Sequence, residues 1–213
     1  MKTDELITML VDSPRPPSRA AVASRLGLGF AISLAAALLL LMLLPGAAAG
    51  LMTRVTMPAF WAKLALPLTM TPAAVCVTSR LSQPGVCVGR AWVALALPVG
   101  TVCLAALLVL AVAAPEVRGE LVLGHTWRTC SLNIVLLSMP ALGALLWAMR
   151  GLAPTRPQLA GAATGLLAGV IGASAYCLRC PEMNVPFWAA WYLLGMAAPA
   201  LLGSLLGPRM MRW

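Results

Sequence analysis

The sequence predicts an all-α membrane protein, six transmembrane helices preceded by a short N-terminal tail. Two observations carry that expectation. Of 213 residues, 61% are hydrophobic and only 10% are charged, against roughly 25% charged in ordinary soluble domains. The charges also fall between long apolar runs: positions 26–53, 64–79, 91–115, 129–149, 157–178 and 183–208 contain none. A core built from so short a chain could not bury that much apolar surface, whereas lipid can solvate it.

A spanning helix needs about 20 apolar residues, and five of the six runs meet that length. Spans are expected near 26–48, 59–80, 91–114, 128–149, 157–178 and 185–207, together forming a transmembrane domain over 26–213. The second run is short unless it takes in Phe60, Trp61, Ala62 and Lys63, with the Lys63 ammonium snorkelling to the interface. Apolar and polar residues do not alternate, which excludes a barrel. The first run starts too far from the N-terminus, and is too long, for a cleavable signal.

Six spans place both ends on one side. The loops on that side hold Lys2, Arg15, Arg19, Arg25, Arg80, Arg90, Arg150, Arg156, Arg209 and Arg212; the others hold Arg54, Lys63, Arg118, Arg128 and Arg179. The excess of positive residues puts both termini in the cytoplasm. The net charge of +9 is then a membrane-flanking signature, and no direct contact with nucleic acid is expected. Gly161, Gly165 and Gly169, and later Gly203 and Gly207, repeat every four residues, a spacing that lets membrane helices approach closely.

Topology also sorts the six cysteines. Cys76 and Cys87 belong to the inner side and Cys103 to mid-span, where thiols act as small apolar groups. Cys130, Cys177 and Cys180 arrive from remote parts of the sequence at one depth on the outer side, near His125 and Glu182. Such a cluster suits a transient soft or borderline metal ion, or a disulfide if two Cα atoms come within about 7 Å. Arg128 and Arg179 would favour thiolates. Cys177 and Cys180 also form a lone CxxC, the basis of an alternative reading as a membrane thiol–disulfide oxidoreductase. A small transport or assembly subunit is a third reading, although no acidic residue lies within a span. No catalytic motif and no constitutive cofactor site are evident.

Residues 1–25 form the expected cytoplasmic tail. Asp4 and Glu5 suit a helix N-terminus, and Leu6, Ile7, Met9, Leu10 and Val11 fall largely on one helical face before Pro14, Pro16 and Pro17 stop it. So short a helix is marginal alone and becomes ordered when its apolar face meets a partner's groove.

Several pieces of the chain together resemble the NrsF-type membrane anti-sigma factors, negative regulators of the extracytoplasmic-function sigma factor called sigma F. They are Met1-Lys2-Thr3-Asp4-Glu5-Leu6-Ile7, Pro58-Ala59-Phe60-Trp61-Ala62-Lys63-Leu64, Ala153-Pro154-Thr155-Arg156-Pro157, Cys180-Pro181-Glu182 with Trp191-Tyr192 and Gly195-Met196, and the ending Gly207-Pro208-Arg209-Met210-Met211-Arg212-Trp213. The resemblance implies a regulator, not an enzyme, in the bacterial inner membrane. Its tail, through Asp4, Glu5, Leu6, Ile7 and Leu10, would hold the sigma factor. Two outward-facing cysteines, here Cys130 and Cys180, would sense heavy metal or oxidative stress, with metal ligation by that pair one option and His125, Glu182 and Cys177 as accessories. Family members often carry histidine where this chain has Arg179.

Overall fold

The computed structural model describes residues 19–43, 51–152 and 154–211, and among these all regular structure is helical. The elements are α1 (Arg19–Leu43), α2 (Leu51–Val55), α3 (Pro58–Leu81), α4 (Ala91–Val112), α5 (Pro115–Leu123), α6 (Trp127–Arg150), α7 (Pro157–Cys177) and α8 (Val185–Met210). Six of them, α1, α3, α4, α6, α7 and α8, are long and apolar enough to cross a bilayer.

Local sequence explains most of the boundaries. Pro58, Pro115 and Pro157 open α3, α5 and α7, because a first-turn proline supplies the helical φ and gives up no needed donor. Between α3 and α4 the chain turns through Gly85 and Gly89, both at positive φ, where a side chain is strained. Two boundaries differ from expectation. The first helix begins at Arg19, not near Leu26, so Arg25 lies inside it. It ends at Leu43, and residues 44–50 lie outside the described set. Between the third and fourth spans, for which no helix was expected, lies α5, a short helix with both Glu116 and Glu120.

The centre of the bundle is α7. Fifteen of its 21 residues are buried, and it packs against α8, α6 and α3. The glycines explain how. A Cβ at Gly161 would collide with the carbonyl of Gly203, one at Gly165 with the carbonyl of Pro199, and one at Gly169 would lie 2.9 Å from the Cα of Met196. The two backbones are therefore in direct contact along three turns, as small residues at four-residue spacing permit. On other faces, Gly172 admits the backbone of α6 at Ile134 and Ser138, and Gly29 admits Ala148 against α1. At the other extreme, α4 buries only Ala91, Leu95, Pro98 and Ala106, and an apolar helix exposed on most faces is of the kind that lipid can solvate.

Helix α8 contains a π-helical turn at Trp188–Tyr192. Such a turn frees carbonyls from the α ladder and recurs at functional sites. Here the Trp191 carbonyl accepts a hydrogen bond from Ser131 Oγ of α6 at 2.9 Å.

Because the α7–α8 contact has no slack, Gly165→Val is expected to destabilise the bundle by at least about 1–3 kcal/mol, the usual cost of overpacking. Gly100→Val, where an added Cβ meets nothing within 4 Å, should be tolerated. The denaturation midpoint of each variant in mixed micelles provides the comparison.

Candidate functional site

The first residue of α6's buried face, the loop joining α7 to α8, and the start of α3 meet at one end of the bundle. Cys130, in the first turn of α6, and Cys180, in the loop, are both fully buried. Neither is bridged, and each thiol is the other's hydrogen-bond partner. The two cysteines assigned by resemblance are thus brought together. Cys177, at the end of α7, is also fully buried beside them. The Tyr192 hydroxyl, carried by the π turn, faces Cys177 and Cys180 but is aligned with no acceptor among the described residues.

The cation at the site is Lys63. Expected to snorkel, it is instead completely buried. Its Nζ donates to the carbonyls of Cys180 at 2.7 Å and Glu182 at 3.1 Å. Carbonyl acceptors inside the fold replace the water that snorkelling would have reached, and a buried ammonium requires such partners. Arg128, expected beside the thiols, lies instead over the Trp127 ring at 5.1 Å. Arg54 reaches in from α2, donating to the carbonyls of Arg179 at 2.7 Å and Leu178 at 3.1 Å.

Glu182 is almost fully buried, and its carboxylate oxygen accepts the backbone N–H of His125 at 2.8 Å. That contact draws in the α5–α6 corner, where Gly124 holds positive φ and leaves no room for a side chain against Phe187 and Glu182. The His125 side chain itself is exposed. Trp191 joins the same corner: its Nε1 donates to the Val122 carbonyl at 2.8 Å and its ring lies 5.4 Å from that of Trp127. Among the described residues no group of three or more His, Cys, Asp or Glu side chains is arranged to hold a metal ion. The arrangement is a buried pair of facing thiols, with the Trp127–Trp191 aromatic pair at the same end of the bundle.

The hydrogen bond from Cys130, aided by the Lys63 charge, holds the Cys180 thiol below the usual range of a free cysteine, against the opposing effect of burial. Such a thiol is the more nucleophilic member of a pair at neutral pH.

The other end of the bundle is defined by Arg25 of α1, which lies against Gly151 just beyond α6. With about 1.5 Å per helical residue, the run from Cys130 to Arg150 separates the two ends by about 30 Å. The root of α1 is therefore remote from the thiols. Asp4, Glu5, Leu6, Ile7 and Leu10, the expected partner-binding residues, lie outside the described residues.

A family model described as negative regulator of sigma F matches residues 10–213. The chain belongs to the NrsF family. It is 41% identical over 213 residues to the probable anti-sigma-F factor NrsF of Azospira oryzae, and 39% identical over 221 aligned positions to the anti-sigma-F factor NrsF of Caulobacter vibrioides, with all of each chain covered in both cases. No solved structure matches it. Within this NrsF chain, sequence reasoning located Cys130, Cys177, Cys180 and Glu182 but gave no site role to Arg54, Lys63, Gly124 or Tyr192. The isolated lysine at the head of an otherwise charge-free run was the available signal for one of them.

Labelling of each cysteine by a small thiosulfonate reagent, read by mass spectrometry as a function of pH, should show Cys180 reacting with a midpoint below the value of about 8.5 of a free thiol. Cys130→Ala, which removes the donor, should move that midpoint upward.

Proposed function

We propose that this chain is a membrane anti-sigma factor whose N-terminal tail sequesters an extracytoplasmic-function sigma factor, and whose Cys130–Cys180 pair senses heavy metal or oxidative stress and triggers release. The observation that carries the sensing part is the facing of two buried thiols from remote parts of the sequence. Family membership supports the sigma-factor partner. Six apolar helices and the distribution of arginine support insertion in the bacterial inner membrane with both termini in the cytoplasm. That orientation sets the thiols outside and the root of the tail inside.

Two chemistries fit a pair of thiols with no further ligand in place: bridging to a disulfide, and capture of a soft cation between thiolates. Metal capture has enough free energy. Reversing a resting population of 1:99 takes about 5.5 kcal/mol, and thiolate-rich zinc sites reach about 10–16 kcal/mol. A surface ion pair, at roughly 0–1 kcal/mol, does not. The pairing of Cys180 with Cys130 favours this reading over a CxxC oxidoreductase, which would couple Cys180 to Cys177.

Leu6→Asp and Leu10→Asp in the full-length protein should abolish co-purification of the sigma factor from detergent extracts; unchanged recovery would remove the tail from the mechanism. Cys130→Ser and Cys180→Ser should each remove induction of the regulon by the stress, while Cys177→Ser should preserve it. Orientation is checked separately with an impermeant thiol reagent. The exposed Cys87 should react only after the cells are opened, and a cysteine-free chain carrying His125→Cys should react in intact cells.

A further inference from the structure

Arg54 and Lys63 precede or open α3, and between them they hold four of the seven carbonyls of the cysteine loop. The Arg54 guanidinium takes the carbonyls of Leu178 and Arg179, and the Lys63 ammonium takes those of Cys180 and Glu182, at 2.7–3.1 Å. The loop between α7 and α8 therefore cannot shift without either carrying the α2–α3 segment along or stripping acceptors from a fully buried ammonium. Leaving such a charge unsatisfied costs far more than losing a neutral hydrogen bond.

The far end of α3 stands beside the root of α1. Val75, Thr78 and Ser79 of α3 share a cavity of about 480 Å³ with Ala23, Leu26, Gly27 and Phe30 of α1 and Leu167 of α7. The Thr78 hydroxyl is fully buried there and has no hydrogen-bond partner among the described residues. One end of α3 is thus tightly tethered to the thiol loop. The other borders unfilled space next to the helix from which the tail departs.

We propose that Lys63, assisted by Arg54, is the positioning residue that converts a change at the Cys130–Cys180 pair into a displacement of α3 against α1. This inference rests on the sensing role proposed above. With a hydroperoxide as oxidant, the two S–H bonds and the O–O bond break and one S–S bond forms. The two thiols lose two electrons to the peroxide oxygens, which leave with the two protons as an alcohol and water. Drawing two sulfurs from non-bonded contact to about 2.05 Å moves them together by on the order of 1–2 Å. Cys130 is fixed within α6, so the loop carrying Cys180 takes up the movement. Hydrogen bonds of 2.7–3.1 Å do not survive a stretch of that size, and Lys63 follows its acceptors. α3 moves with it.

The test uses the full-length protein in nanodiscs with its sigma factor, comparing sigma-factor affinity before and after hydroperoxide treatment, with the Cys130–Cys180 bridge verified by mass spectrometry in every variant. In the parent protein bridging should weaken binding by at least about tenfold, within the usual range of allosteric coupling. Lys63→Met should still form the bridge but respond by less than about threefold, Lys63→Arg should restore most of the response, and Arg54→Gln should fall between. A bridged Lys63→Met protein that releases the sigma factor as fully as the parent overturns the proposal and leaves the sensing role intact. A parent protein that bridges without losing affinity overturns the sensing role and this inference with it. Should Lys63→Met fail to fold, Arg54→Gln decides: an undiminished response overturns the coupling.

Discussion

The contact on which the architecture depends is the bare meeting of backbones between α7 and α8. Gly161, Gly165 and Gly169 face the Gly203–Met196 side of α8 so closely that no Cβ fits between them. Where lipid surrounds apolar helices no hydrophobic force draws them together, and close packing of small residues supplies the attraction. Once these two helices are locked antiparallel, the seven-residue span from Leu178 to Asn184 is confined to one end of the bundle, and its cysteine lies at that end. Gly172 then admits α6, which brings Cys130 to the same level. The thiol pair is a by-product of where glycines sit one to four turns away.

A second constraint is electrostatic. A lysine ammonium and an arginine guanidinium are aimed at backbone carbonyls of one loop. Carbonyl dipoles satisfy a cation without adding an opposite formal charge, so the positive field of Lys63 stays available to Cys180. A carboxylate in the same place would have cancelled it. Glu182, the acid nearest in sequence, is instead engaged with the His125 backbone. The same loop therefore presents carbonyls to one side and a carboxylate to the other, and each helps fix its shape.

The sequence carried the six long helices, including the marginal second one, because charge placement reports span limits directly. It also carried the convergence of Cys130, Cys177 and Cys180, since topology alone sets their depth. The start of α1 was less legible: Arg19 and Arg25 looked like the end of a soluble segment, yet arginine tolerates helical geometry and its long side chain can leave the apolar zone. Lys63 misled for the same reason. Lysines near helix ends usually reach water, and only the three-dimensional approach of the Cys180 loop provides acceptors that keep this one inside. Tyr192 could not be distinguished from its aromatic neighbours, because its direction depends on a π turn that leaves no compositional trace.

That π turn has a consequence for how α8 serves two neighbours at once. An extra residue at Trp188–Tyr192 offsets the helical phase by about 100°, the angle of one residue at 3.6 per turn. At the turn the helix presents Tyr192 to the cysteines; beyond it, the glycine rail faces α7. A regular helix of the same composition would have to choose between those faces. The phase slip removes the choice, and ties the placement of Tyr192 to a length of chain and not only to the residues within it.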